Sequence, residues 1–321
     1  VLIFSIFEKN KLPSTFKLTV RTFNKYYFFL VFTTFIWGTN FHVTQVALQY
    51  TSAMLTGTYR YTLGAILLVL IMYFKQPTKK DIKDAILKWK SIVFVGVVGA
   101  FVYNILFLEG MKYTSAFNGV LIIGLTPLNT ALISIPMLGL RLTVRQILAM
   151  LFGFLGILLV LSKGDISVIT NLSFSKGDVY ILCANLSFSF GNVYIKKYLG
   201  GFAPLWLTTL VTVVACICFI GFSIFFEDFI MPTNYEYLSA LFFMGALSTA
   251  LCGAFWFVSI KEIGAETSAL FMNLVPVFGA SASFILGEKV VTPQLFGGLL
   301  VIIGLLINSV KIKSKKAVLE H

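Results

Sequence analysis

Three ionisable side chains stand inside apolar runs long enough to carry them through a bilayer: His42, Arg60 and Glu109. An ionised group at bilayer depth costs about 2.5–3.5 kcal/mol on insertion scales, so each calls for a partner or a task. From the rise of a helix, Arg60 lies roughly 10 Å, His42 roughly 9 Å and Glu109 roughly 3 Å below the same membrane face. The chemistry expected of them is an ion pair of Arg60 with Glu109, or of Arg60 with an anionic group on a bound solute, with His42 joining either. His42 and Glu109 are also the groups a coupling proton would use. The structural alternative for Arg60 is a guanidinium that bonds backbone carbonyls and locks helices together.

Around these charges stand uncharged polar and aromatic residues. Asn40 and Thr44 lie one turn apart with Trp37 on the same face, a stripe able to hold a solute. Tyr103, Asn104 and Asn118 follow, and the second half of the chain supplies Phe188, Asn192, Trp256 and Asn273. Taken singly, such residues more often bridge or pack helices. Together they outline a central cavity. Pro127 and Pro276 each remove a backbone donor in mid-span and favour kinks, which makes them candidate gating elements. Ala149, Gly153, Gly156, Gly297 and Gly304 permit close helix approach, within the chain or against a second copy.

These residues need spanning helices to position them, and the composition provides for that. Of 321 residues, 58% are hydrophobic and 12% charged. Mean hydropathy is +0.91. A soluble domain carries about 25% charged residues. The chain therefore reads as a polytopic membrane protein, and disorder is excluded on the same ground. The net charge of +12 does not imply nucleic acid, because the basic residues sit between apolar runs and no zinc-finger or RNP-like motif accompanies them. Cys183, Cys216, Cys218 and Cys252 lie in apolar runs without a C-x-x-C spacing, so neither a disulfide framework nor a metal site is expected.

A spanning helix needs about 20 mostly apolar residues. Ten segments qualify: 26–48, 53–74, 91–111, 117–138, 143–162, 177–198, 203–226, 237–260, 267–287 and 294–312. Helices rather than barrel strands follow from their length and their lack of ten-residue alternation. Lysine and arginine set the orientation. With both termini cytoplasmic, twenty basic residues fall inside and four outside, with Arg60 in a span. Residues 1–25 read as a cytoplasmic tail, 163–176 as an external linker, and 313–321 as a cytoplasmic tail whose last three residues look like the start of a purification tag. Between Lys79 and Lys90, Ile82, Ile86 and Trp89 at helical spacing predict a helix lying on the inner leaflet.

Residues 110–162 and 259–310 read alike. Pro127 and Pro276 are 149 residues apart, Gln146 and Gln294 are 148 apart, and Gly139-Leu140-Arg141 answers Gly287-Glu288-Lys289. Trp37-Gly38-Thr39-Asn40 pairs more weakly with Phe188-Ser189-Phe190-Gly191. The chain is thus expected to hold two five-helix repeats, 26–162 and 177–312. Five is odd, so the halves have opposite membrane orientation, a common plan of secondary transporters with a site near the midplane.

The Trp37-Gly38-x-Asn40 pattern, Arg60 in the second span and the two repeated Pro/Gly-x-[Arg,Lys]/Gln/Gly blocks resemble the drug/metabolite transporter superfamily, and within it the EamA-type ten-helix transporters. The likeness covers about residues 26–310. Leu140 opposite Glu288, Phe188 in place of a tryptophan and Glu109 in place of a small residue depart from the family pattern and bear on the substrate more than the fold. The resemblance implies a small-molecule solute, amino acids and related metabolites first, moved outward; nucleotide-derived metabolites or drugs come next. No cofactor is expected. The chain would be a monomer or homodimer among membrane lipids, in a bacterial cytoplasmic membrane. An intramembrane enzyme would need facing acids, a nucleophile with a base, or metal ligands, and no such motif is present. A channel would need a filter-like loop or a ring of charge.

Overall fold

Backbone groups in hydrocarbon must bond within their own segment, so long apolar runs fold as helices. The computed structural model describes residues 25–114, 116–171, 175–285 and 291–309, and helix occupies each of the ten expected segments. The first half comprises α1 (Lys25–Ala47), α2 (Ala53–Lys75), the short α3 (Lys79–Leu87) and α4 (Trp89–Gly110). It continues with α5 (Ala116–Ile123), α6 (Thr126–Leu138) and α7 (Val144–Ser162). The segment between the halves carries α8 (Ile166–Thr170). The second half comprises α9 (Lys176–Tyr194), α10 (Pro204–Phe226), α11 (Tyr235–Ile263), α12 (Ala265–Leu270), α13 (Leu274–Ile285) and α14 (Thr292–Ser309). Among the described residues, five helical stretches are long and apolar enough to cross a membrane: Ala53–Lys75, Trp89–Gly110, Gly119–Leu138, Pro204–Phe226 and Tyr235–Ile263. The short join at 261–266 does separate two helices, since Gly264 turns the chain at φ +92°.

Each half bears the same irregularities. Backbone bonding widens to a π-helix over Val95–Val102 within α4 and over Phe243–Leu251 within α11, stretches whose first residues are 148 apart. Such insertions are rare and cluster at functional sites. Second, the spans containing the prolines are broken. Gly124 and Leu125 separate α5 from α6, and a 3₁₀ turn, Phe271–Asn273, separates α12 from α13. The expectation of prolines that kink the middle of continuous helices is corrected here. Pro127 stands in the first turn of α6 and Pro276 in the first turn of α13, where a helix has no use for their missing N–H. At the first break the freed backbone is paired again: Asn185 Nδ2 donates to the Ile122 carbonyl at 2.6 Å, and the Thr126 hydroxyl to the Ile123 carbonyl at 2.5 Å.

The small-residue stripes pack within the chain. Gly156 and Gly297 bring α7 and α14 so close that a Cβ on either would lie 2.6 Å from the other's carbonyl oxygen, and Gly304 meets the Ala149 carbonyl in the same seam. Outside the helical body, α3 is held by a capping box between Thr78 and Asp81. Its Ile82, Ile86 and Leu87 are exposed, as is Trp89 just beyond, which fits a helix resting on a lipid surface. Trp206 Nε1 donates to the Asp81 carbonyl at 3.2 Å and pins α3 against α10.

Candidate functional site

A cavity of about 110 Å³ lies between the halves, walled mainly by α1, α2 and α4 from one and by α9, α10 and α11 from the other, with Ile123 of α5 and Met272 and Val275 beside the second break completing it. Of the sequence-predicted residues, Trp37, Asn40, Arg60, Tyr103 and Asn104 line it from the first half, and Phe188, Asn192 and Trp256 from the second. The lining repeats. Gly99 and Ser248, Ala100 and Thr249, and Phe107 and Trp256 are pairs 149 residues apart; Trp37 and Phe188, and Tyr61 and Thr212, are pairs 151 apart. Arg60 breaks the symmetry, because its counterpart, 151 residues on, is Val211.

Aromatic rings form one wall. Trp37 lies with its centroid 5.1 Å from Trp256 and 5.9 Å from Phe188, while Phe188 is 5.6 Å from Trp256 and 5.0 Å from Tyr103. Offset and edge-on contacts at this spacing are favourable. Hydrogen bonds hold two of the rings. Trp37 Nε1 donates to the Ser248 carbonyl, which lies in the π-helical stretch of α11, at 3.1 Å. Trp256 Nε1 donates to Asn192 Oδ1 at 3.0 Å. Two amide atoms in this region, Asn40 Oδ1 and Asn192 Nδ2, have no hydrogen-bond partner among the described residues.

Arg60 is 7% exposed, and among the described residues it bonds to neutral groups. Its Nε donates to the Thr249 hydroxyl at 2.7 Å and its Nη2 to the Ser248 hydroxyl at 3.3 Å. Thr249 passes its own proton to the Met244 carbonyl, five residues back, at 2.8 Å, so the π-helical turn presents its oxygen to the arginine. Nearby, Asn104 donates to the Tyr61 hydroxyl at 2.5 Å. The expected pair with Glu109 does not form. Glu109 stands in the last turn of α4, where water is accessible, and pairs locally with Lys112 at 2.9 Å, each side chain 34% exposed. His42 is neither in the cavity wall nor hydrogen-bonded to any described residue.

Two further expectations are corrected. Thr44 supports the wall from behind, receiving Asn40 Nδ2 at 3.3 Å, and does not line the cavity. Asn273 is buried against Gly153 of α7, one layer away from the cavity. Asn118 falls in α5, but its side chain lies outside the described residues. Sequence reasoning missed Tyr61, Thr212, Ser248 and Thr249. The 149-residue repeat carries a signal for the last two, which align with Gly99 and Ala100 in the opposite half. It also left Asp178 uncounted: this carboxylate is buried at the start of α9, where it caps the helix and accepts from Thr114.

The model of the EamA-like transporter family matches residues 24–162 and again residues 175–310. The chain is 34% identical over 301 residues to a Bacillus subtilis (strain 168) protein named uncharacterized transporter YyaM, covering 92% of this chain and 97% of that one. It is 24% identical to an uncharacterized transporter of Archaeoglobus fulgidus, covering 90% and 98%. A crystal structure superposes with a TM-score of 0.74 at 16% identity, over 88% of this chain and 96% of its own, which speaks to fold alone.

Proposed function

The chain belongs to the EamA-like transporter family and is a multi-pass integral membrane protein, and from that premise we propose that it carries a small metabolite across a bacterial cytoplasmic membrane by alternating access. The observation that carries the reading is the cavity at the seam of two repeats, lined at equivalent positions by both. Ten crossings with both termini cytoplasmic follow from the segments and the lysine bias. The halves would rock about the cavity and open it to one face at a time. The paired breaks before Pro127 and Pro276 border the cavity through Ile123, Met272 and Val275, which supports a role for these spans in gating.

Amino acids and related compounds, moved outward, come first as solutes. Nucleotide-derived metabolites and drugs form the second class, favoured only by the aromatic wall. For proton coupling the geometry offers little, since Glu109 is paired at the surface and His42 stands off the cavity. The test is counterflow in proteoliposomes loaded with unlabelled solutes and offered the same solutes in radiolabelled form. Saturable accumulation, abolished by Trp256→Ala in a variant that still folds, is expected. Flux that never saturates would indicate a channel, and chemical conversion of the solute would indicate an enzyme.

A further inference from the structure

Among the described residues that line the cavity, Arg60 is the one charged side chain and no carboxylate faces it. Arg60 cannot shed its proton, it is 7% exposed, and among the described residues its partners are two hydroxyls. A buried cation without a counter-charge is costly, and an anion supplied by a ligand relieves that cost. Two of the five guanidinium donors are engaged by Thr249 and Ser248, which leaves the rest for a carboxylate. The position equivalent to Arg60 in the second half is Val211, so the repeat supplies no second cation to the lining. The same lining carries the rings of Trp37, Phe188 and Trp256, a wall suited to a flat apolar body, and Trp37 shares Ser248 with Arg60.

We propose that the preferred solute is an aromatic monocarboxylate whose carboxylate pairs with Arg60, and that the site selects against an α-ammonium group. This rests on the transport reading and replaces its ranking of amino acids first among the solutes. An α-amino group is bonded to the carbon that bears the carboxylate, so an amino acid seated on Arg60 would bring its ammonium beside the guanidinium. No carboxylate lines the cavity to receive it. The hydroxyls beside the guanidinium already accept, Thr249 and Ser248 from Arg60 and Tyr61 from Asn104, and the unpartnered Asn40 Oδ1 offers an ammonium a neutral acceptor but no counter-charge. A second carboxylate on the solute would equally lack a cation, which limits the charge to one.

Four probes of one shape separate the charges: 3-phenylpropionate, phenylalanine, 3-phenylpropanamide and phenylalaninamide. Binding to the purified full chain is read by quenching of tryptophan fluorescence and by thermal shift. The acid is expected to bind at least tenfold more tightly than the amino acid and the neutral amide, and the cation not at all. In Arg60→Gln the acid should lose its advantage over 3-phenylpropanamide while the amide binds as before; Arg60→Lys should keep part of the advantage. The wild-type series stands even where a variant fails to fold. Equal binding of acid and amide, tighter binding of phenylalanine, or no binding of any probe to folded protein at millimolar concentration would overturn the proposal. Liposome flux separates the two readings: selective binding of the acid without its transport sinks the transporter and leaves the site, whereas transport of phenylalanine but not the acid sinks the charge assignment alone.

Discussion

The large and polar members of the cavity wall, Trp37, Asn40, Arg60, Tyr103, Asn104, Phe188, Asn192 and Trp256, were legible in the sequence, because such residues in apolar runs are rare enough to stand out. What periodicity could not give was depth into the bundle. Thr44 lies one turn from the wall residue Asn40 and bonds it from behind, and Asn273, between Met272 and Val275 in the chain, is buried against Gly153 instead of lining the cavity. Ser248 and Thr249 were hidden for a different reason: hydroxyls are common in membrane helices, and the π-helical turn changes which residues face inward. Two predictions belong at this scale. Glu109→Gln breaks only an exposed pair, so stability should change by less than about 1 kcal/mol and flux by less than twofold; a loss of transport measured in proteoliposomes would return Glu109 to the mechanism. Trp256→Phe keeps the ring but leaves the Asn192 amide without its donor, at a cost of about 1 kcal/mol, visible as a lower melting temperature in detergent.

Helix type followed from hydropathy in the described parts of the expected segments, since length and apolarity alone select a helix in lipid. Breaks and π-helical turns were not legible, because they depend on which neighbour takes up the freed carbonyls, as Asn185 and Thr126 do at the first break. Whether the glycine stripes close a seam inside the chain or between copies was likewise open, and α7 against α14 closes it inside. Gly156→Ala would set a methyl 2.6 Å from a carbonyl that cannot yield. Overpacking of this kind costs about 1–3 kcal/mol. Gly221→Ala meets nothing within 4 Å and should be stabilising by about 0.5–1 kcal/mol, the gain of an alanine within a helix. Thermal melts of the two variants check the contrast, and similar shifts would argue against the seam. For α3, hydrogen bonds from Thr78 hold the Asp81 carboxyl below its ordinary pKa. A depressed carboxylate stabilises above its unfolded pKa, about 3.9, and that contribution fades as pH falls through the lower folded value. Protection of the α3 amides, taken relative to the intrinsic exchange rate at each pH, should therefore be indifferent to this group from neutral pH down to about pH 5 and fall only in stronger acid; loss of protection near neutrality would point to another group.

At the scale of the molecule, the repeat read from paired prolines and glycines becomes a cavity whose lining positions recur at a nearly constant offset, with Arg60 as the exception. The halves are also tied at both ends. Tyr50 donates to Glu236 at 2.5 Å and Ser52 to Glu227 at 2.9 Å at one end, and Ser134 to Glu266 at 2.5 Å at the other. Alternating access requires each set to part in turn. Replacing Glu227 and Glu236 with glutamine should loosen the first end and speed the entry of thiol reagents there; unchanged entry would mean those bonds do not hold the halves. The central claim is that the cavity between the repeats is the path of the solute. The most direct test places a cysteine at Thr212, in a chain whose four native cysteines are serine, and labels it with a membrane-impermeant maleimide from each face of the membrane. The account predicts labelling from both faces, with a transported solute slowing both and shifting the balance between them. Labelling from neither face, or from one face alone whatever solute is present, would contradict it.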